Sequence, residues 1–219
     1  MLLDFQTAYR TVTERVRRGV PAPSTELVSL EQAQGRFLAE DVLADRDYPP
    51  FPRATRDGFA LRADDVQSLP GKLELLGEAR AGSWYDGQVG PGQAVRIMTG
   101  APVPEGADAV VMVEHTRTDE SGRVRVEKKL DQGANIVPQG SEAAQGTQVL
   151  LQGKRLGAGE IGLLASVGRW EISVARRPRI AILPTGDEIV PPDREPEWYQ
   201  IRNSNAAALG AQVSVAGGE

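Results

Sequence analysis

Apolar residues recur at helical spacing near the amino terminus. Phe5, Ala8, Val12 and Val16 share one face, which predicts an amphipathic helix. Asp4 is placed to cap its start, and Gly19-Val20-Pro21 to end it. Ser29-Leu30-Glu31-Gln32 has the form of an S-x-x-Q capping box and predicts a second helix, with Gly35 near its middle or end and Phe37-Leu38-Ala39 continuing the apolar side. Residues 45–53 cannot be helical. Prolines 49, 50 and 52 remove amide donors and force extended backbone, so a boundary between substructures is expected there.

From about residue 72 to residue 151 the pattern turns to short alternating or wholly apolar runs. These lie at 73–76, 94–98, 109–113, 124–127 and 148–151, divided by Gly-, Pro- and Asp-containing turns. Glu120-Ser121-Gly122 reads as a hairpin turn between two of them. Residues 157–168 then read as a buried helix rich in glycine. Each such glycine costs up to about 1 kcal/mol against alanine in a helix interior, so close packing is expected to offset them. A short strand is expected at 170–174 and a linker at Ala175-Arg176-Arg177-Pro178. The continuous apolar run Arg179-Ile180-Ala181-Ile182-Leu183 has the pattern of a parallel strand buried on both faces. Asn203-Ser204-Asn205 caps an alanine-rich helix over 206–215, which Gly217-Gly218 ends.

Composition narrows the chemistry. The 219 residues include no cysteine and one histidine, His115. Disulfides, thiol nucleophiles, iron–sulfur clusters and cysteine-based zinc sites are thereby excluded. A two-histidine zinc site is excluded too, and His115, at the end of an apolar run, reads as a surface or turn residue. Carboxylates, hydroxyls, guanidiniums and backbone amides remain. A net charge of −5 argues against general nucleic-acid binding. Arginine outnumbers lysine 21 to 4, which reads as coding bias, and Arg10, Arg15, Arg17 and Arg18 read as a solvated helix face. No run approaches the ~20 apolar residues that span a bilayer. Met1-Leu2-Leu3-Asp4-Phe5 lacks the basic and apolar regions of a signal peptide, so a cytoplasmic protein is expected.

Three loops combine small residues with polar groups. In Thr55-Arg56-Asp57-Gly58-Phe59-Ala60 an Asp-Gly step bends tightly and presents a carboxylate. In Met98-Thr99-Gly100-Ala101-Pro102-Val103-Pro104-Glu105-Gly106, Gly100 admits close backbone approach by a ligand and Thr99 offers a hydroxyl. Thr185-Gly186-Asp187-Glu188 follows the expected buried strand, at the end where open α/β sheets bind ligands. Asp187 and Glu188 are candidate Mg²⁺ ligands, with one of them coordinating directly, since adjacent residues on an extended chain point apart. Trp198 and Tyr199 are expected to cover the core.

These loops, in this order, resemble the molybdopterin molybdenumtransferase family, the MoeA proteins and the gephyrin E domain. The matching stretches are Asp57-Gly58-Phe59-Ala60, the segment from Arg96-Ile97-Met98-Thr99-Gly100 to Glu105-Gly106 with Ala109-Val110-Val111, and Pro184-Thr185-Gly186-Asp187-Glu188. Asn135-Ile136, Gly140 and Asn203-Ser204-Asn205 also fall where the family has like residues. The resemblance implies a multidomain α+β fold. An elongated N-terminal helical and β region (1–44 with 143–175) would carry a mostly β subdomain (45–142). The first β-α unit of a Rossmann-like molybdopterin-binding α/β domain would follow (176–219). It also implies a homodimeric enzyme of molybdenum-cofactor synthesis that binds adenylylated molybdopterin, inserts molybdate and releases AMP with Mg²⁺ assisting.

Asp57, Thr99 and Glu188 match the family's functional positions, which implies catalytic roles for them. Gly100, Thr185, Gly186 and Asp187 would bind substrate, and Asp187 and Glu188 the metal. Thr99 and the neighbouring amides would hold a phosphate or pterin oxygen, and Asp57 a proton or hydrated metal. Two departures stand out. Arg56 replaces a small or apolar residue and is placed to pair with Asp57, and Gly140-Ser141-Glu142 replaces Gly-Glu-Asp. The family's further strands, glycine/serine loop and C-terminal barrel have no counterpart here, so an N-terminal portion inactive by itself is expected. A non-catalytic binding or dimerisation module of the same family is the alternative, and a generic phosphate-ligand protein a third.

Overall fold

The computed structural model describes residues 3–19 and 21–219. Val20 of the first helix stop, and Met1 and Leu2 of the amino-terminal reading, lie outside the described residues. In chain order the elements are α1 (Phe5–Gly19), β1 (Thr25–Ser29), β2 (Val42–Leu43), β3 (Arg53–Ala54), β4 (Gly58–Leu61), β5 (Gly71–Ala79) and β6 (Gln93–Ile97). There follow β7 (Ala109–Met112), β8 (Thr116–Thr118), β9 (Val124–Val126), β10 (Ile136–Val137), β11 (Gln148–Leu150) and α2 (Ala158–Ser166). The last are β12 (Glu171–Ala175), β13 (Ile189–Val190), β14 (Ile201–Arg202) and α3 (Ser204–Ala216). This mixed α and β chain divides into two compact units, Met1–Val42 with Leu150–Glu219, and Leu43–Val149.

In the first unit α1 is capped as its sequence predicts. Asp4 Oδ1 accepts the Thr7 amide at 2.9 Å and Oδ2 the Thr7 hydroxyl at 2.8 Å. No residue of α1 is buried, and Phe5, Tyr9, Val12 and Val16 are exposed. The helix expected from Ser29 is instead a three-residue 3-10 turn, Leu30–Gln32, and Ser29 makes no side-chain cap. The tertiary ladder overrides the local signal here. Ser29 ends β1 opposite Glu171 of antiparallel β12, and the Leu30 amide continues the pairing to the Trp170 carbonyl at 3.2 Å. Gly35, at φ +76°, then turns the chain so that Phe37 and Leu38 bridge to Arg155 and Val174. Val28, Leu38, Leu156, Leu164, Ile172 and Val174 are buried in this unit. Arg36 is the buried charged residue among those described; it donates to a Glu26 carboxylate oxygen and, at 2.9 Å, to the Ala175 carbonyl.

Three further expectations for this unit need correction. First, α2 buries only Leu164, and a Cβ added at Gly159 or Gly162 would meet nothing within 4 Å, so close packing does not offset its glycines. Second, residues 179–183 form no strand, with Ile180 48% and Leu183 83% exposed. An apolar run becomes a doubly buried strand only where other elements cover both faces, and no described strand flanks this one. The parallel pair is β13 with β14, two residues each, so the Rossmann-like β-α unit does not take its expected form. Third, Trp198 is 94% exposed and Tyr199 59%; the rings meet edge to face at 5.5 Å and cover no core. The final helix matches its signals: Asn203 Oδ1 accepts the Ala206 amide at 3.0 Å, and Gly217 takes the left-handed C-cap at φ +92°.

The second unit is built on a mixed six-stranded sheet in the order β7-β4-β6-β5-β9-β8. Only β5 and β6 run parallel; the other pairings are antiparallel. The predicted runs at 73–76, 94–98, 109–113 and 124–127 all enter this sheet, and the expected hairpin joins β8 to β9. Alternation divides the side chains between two cores. Phe59, Leu61, Ala94, Val111, Val124 and Val126 lie in one, and Ala60, Val95, Ile97 and Val110 in the other.

β4 was not expected as a strand, since Asp57-Gly58 reads locally as a turn. Its four residues are all buried between β6 and β7. Gly58 is required there, because a Cβ would collide with the Val111 carbonyl oxygen of β7. Gly58→Ala is therefore expected to lower the thermal unfolding midpoint by the ~1–3 kcal/mol typical of overpacking. Gly162→Ala is expected to raise it, by up to about 1 kcal/mol of helix propensity. Thermal denaturation of both variants checks the pair.

Candidate functional site

The sheet positions the site. Asp57 immediately precedes β4 and Thr99 follows β6, and β4 pairs with β6 in the register Gly58–Ile97 and Phe59–Arg96. Asp57 Oδ1 accepts both the Thr99 amide and the Thr99 hydroxyl, each at 2.7 Å. The chain beyond is fixed by its own bonds. The Gly100 amide donates to the Ala54 carbonyl at 2.8 Å and the Ala101 amide to the Met98 carbonyl at 3.0 Å, with Gly100 at φ +82°. The donors expected to hold a ligand oxygen, Thr99 and its neighbouring amides, thus have partners inside the protein, and Thr99 orients Asp57.

Asn135 and the Val113 amide brace the same region. Asn135, at φ +57°, donates its Nδ2 to the Val110 carbonyl at 2.8 Å and accepts the Thr55 amide on its carbonyl at 2.9 Å. The Val113 amide donates to the Asp57 carbonyl at 3.1 Å.

Beside this pair opens a cavity of about 440 Å³, lined by Asp57, Gly58, Phe59, Arg96, Ile97, Met98, Val113, Thr116 and Thr118. The Thr99 amide, then its hydroxyl, hold the Asp57 carboxyl below the usual carboxylate range against the opposing cost of desolvation, and the positive charge of Arg96 adds to the effect. Asp57 is thus a carboxylate at neutral pH, with Oδ2 making no hydrogen bond among the described residues. The predicted pairing of Arg56 with Asp57 is absent. Its guanidinium donates to the Thr55 carbonyl at 3.3 Å, and no ion pair joins it to Asp57 among the described residues. The other departure has a structural partner in the same unit, where Glu142 accepts Arg53 at 2.8 Å.

Thr185, Gly186, Asp187 and Glu188 belong to the first unit, and all four are exposed. Gly186 sits at φ +140°, and a Cβ there would lie 2.7 Å from Glu188 Oε2, so the Glu188 carboxylate folds over the glycine. The donor set tests the Mg²⁺ expectation. Among the described residues no three His, Asp or Glu side chains gather to hold a metal. Two neighbouring carboxylates suit an ion that takes one or two of them and fills its shell with water and phosphate oxygens; they do not make a closed cage.

Arg96 and Thr118 escaped the sequence reading as site residues. Arg96 is the one charged residue in β6, between Val95 and Ile97, both 0% exposed. A charge in so apolar a strand was the available signal. Thr118 carried none, because its place on the cavity depends on how the β8–β9 hairpin pairs with β5.

Thr99→Val tests the bond to Asp57. The variant keeps the amide donor and loses the hydroxyl, so the Asp57 pKa should rise part of the way toward its ordinary value of 3.8, as read by ¹³C NMR of its carboxyl. A depressed carboxyl pKa stabilises the fold above the unfolded value, and that stability fades as pH falls through the folded value. The variant should accordingly be less stable than the parent at neutral pH, with the difference shrinking below pH 3.8.

Residues 3–168 match the family described as the MoeA N-terminal region (domain I and II), a stretch that contains Asp57, Thr99 and Gly100 and ends before Thr185. A molybdopterin molybdenumtransferase of Bacillus subtilis (strain 168) is 42% identical over 200 residues, covering 88% of this chain and 46% of the relative. One of Staphylococcus aureus (strain MRSA252) is 37% identical over 218 residues, covering 93% and 52%. The crystal structure of a molybdopterin biosynthesis MoeA protein from Pyrococcus horikoshii OT3 superposes with a TM-score of 0.88 at 32% identity, covering 96% of this chain and 57% of that one. The chain spans about half the length of the curated relatives it matches. The match over residues 3–168 and the 42% identity to the Bacillus subtilis relative place this chain in the MoeA N-terminal region family.

Proposed function

We propose that the chain serves molybdenum-cofactor biosynthesis as part of a molybdopterin molybdenumtransferase, which inserts molybdate into adenylylated molybdopterin and releases AMP. The observation that carries this reading is the Asp57 carboxylate, fixed through Oδ1 by Thr99 at the edge of a partly apolar cavity that also holds Arg96. Such a carboxylate is ionised, oriented, and has one oxygen left to position a proton or a hydrated metal. Thr99 positions it, and Gly100 lets the loop turn back onto Ala54.

Mg²⁺, held by Asp187 or Glu188 together with ligand oxygens, would neutralise phosphate charge. Thr185 and Gly186 offer a hydroxyl and an amide beside those carboxylates. The same reading has the protein act as a homodimer in the cytoplasm. No helix among the described residues is long and apolar enough to cross a membrane.

Titration of the chain with adenylylated molybdopterin, AMP and ATP, with and without Mg²⁺, tests the substrate class. The expected result is Mg²⁺-dependent binding of adenylylated molybdopterin about tenfold or more tighter than either nucleotide, a difference of about 1.4 kcal/mol. Equal affinities would contradict the reading. In a molybdenumtransferase containing this sequence, Asp57→Asn should slow molybdate insertion by about a hundredfold, as expected for a lost proton-transfer group. An unchanged rate would remove Asp57 from the chemistry.

A further inference from the structure

Arg96 is under-used by the fold. Its strand neighbours Ala94, Val95 and Ile97 are fully buried, yet its own side chain is 57% exposed. Its ion-pair partner is Glu78, on the adjacent β5, with Nε 4.0 Å from Oε1. Glu78 is already engaged: its Oε2 accepts Arg80 Nε at 3.0 Å and a terminal Arg80 nitrogen at 2.7 Å. An exposed pair at the limit of contact is worth little to stability. Arg96 makes no hydrogen bond among the described residues, so its five N–H donors are available.

Strand alternation fixes where that guanidinium sits. Asp57 and Phe59 share one face on the β4 side, and Arg96 and Met98 the same face on the β6 side. All four line the 440 Å³ cavity, and β8 closes it with Thr116 and Thr118. The two hydroxyls differ. Thr116 spends its proton on the Val113 carbonyl at 2.8 Å, whereas Thr118 makes no side-chain hydrogen bond among the described residues. The cavity therefore holds a planar cation with no hydrogen bond and a hydroxyl with no side-chain hydrogen bond among the described residues, with Phe59, Ile97, Met98 and Val113 as apolar walls. Asp57 lies beside the cation with Oδ1 already satisfied.

We propose that Arg96 and Thr118 form a phosphate subsite, in which the guanidinium forks onto two oxygens of a phosphate ester or phosphoanhydride and the Thr118 hydroxyl donates to a third atom of the same group. Charge-assisted, two-pronged contacts of this kind are what arginine supplies and lysine does not. The subsite rests on the functional reading above and deepens it, as the place where the phosphate-bearing end of the ligand is held. It takes over the role that the Thr99 loop, with its donors spent internally, does not fill.

The test is a binding cycle on the whole chain with AMP, adenosine and inorganic phosphate as probes, against the parent, Arg96→Gln, Arg96→Lys and Thr118→Val. Arg96→Gln should weaken AMP about tenfold while leaving adenosine within about twofold, so that losing the arginine and losing the phosphate are not additive. Arg96→Lys should restore part of the affinity, and Thr118→Val should weaken AMP alone. Arg96 is exposed, so unfolding midpoints should match the parent, which separates lost binding from lost structure. Inorganic phosphate competing with AMP in the parent but not in Arg96→Gln would show that the anion itself is recognised. No AMP binding by the parent, equal losses for AMP and adenosine, or no loss on either arm would overturn the subsite. A coupled AMP cycle without preference for adenylylated molybdopterin would keep the subsite and sink the broader reading. The reverse pattern would do the opposite.

Discussion

The two hydrogen bonds from Thr99 to one oxygen of Asp57 are the constraint on which the candidate site depends. They tie the residue before β4 to the residue after β6, and the strands between them are paired in full register. The close approach of β7 at Gly58 makes that register rigid, since nothing larger than hydrogen fits against the Val111 carbonyl. A carboxylate at the end of a strand buried on both faces cannot wander, and its environment keeps it charged. Fold and site are thus one arrangement in this unit. The glycine that permits the sheet is the residue next to the acid that would use it.

Much of the sheet was legible in the sequence. The runs at 73–76, 94–98, 109–113 and 124–127 carry apolar alternation and turn punctuation strong enough to mark strands, and each is one. β4 was not, because Asp-Gly has the chemistry of a turn and the four residues from Gly58 to Leu61 show no alternation when both faces are covered. The Ser29 box failed for the opposite reason. A valid local helix signal lost to a strand ladder that β12, more than a hundred residues away, imposes. Residues 179–183 have the composition of a core strand, but no described strand pairs with them and Ile180 and Leu183 stay exposed, since composition alone cannot make burial.

The site divided along the same line. Asp57 and Thr99 were singled out from their motifs, and the sheet brings them together. Their division of labour was not legible. Whether a loop amide points at a ligand or at a carboxylate forty-two residues earlier is decided by tertiary pairing. Arg56 illustrates the limit, since sequence adjacency placed it beside Asp57 while the cation that acts on the carboxylate is Arg96 of the neighbouring strand. Glu188 and Asp187 belong to the other unit, where among the described residues they offer oxygen donors without a third acidic partner. The two sets share a chemistry, hard oxygen ligands and fixed charges, that a chain without cysteine is left to use.

Thr99 holds Asp57 by a direct amide-to-carboxylate bond, which should persist in solution. The most direct measurement is the NMR scalar coupling across that hydrogen bond, between Thr99 ¹⁵N and the Asp57 carboxyl ¹³C at neutral pH. The expected result is a resolvable coupling, with a Thr99 amide shift that follows ionisation of Asp57 at a pH below 3.8. Absence of the coupling, together with a Thr99 amide that does not respond as Asp57 titrates, would contradict it.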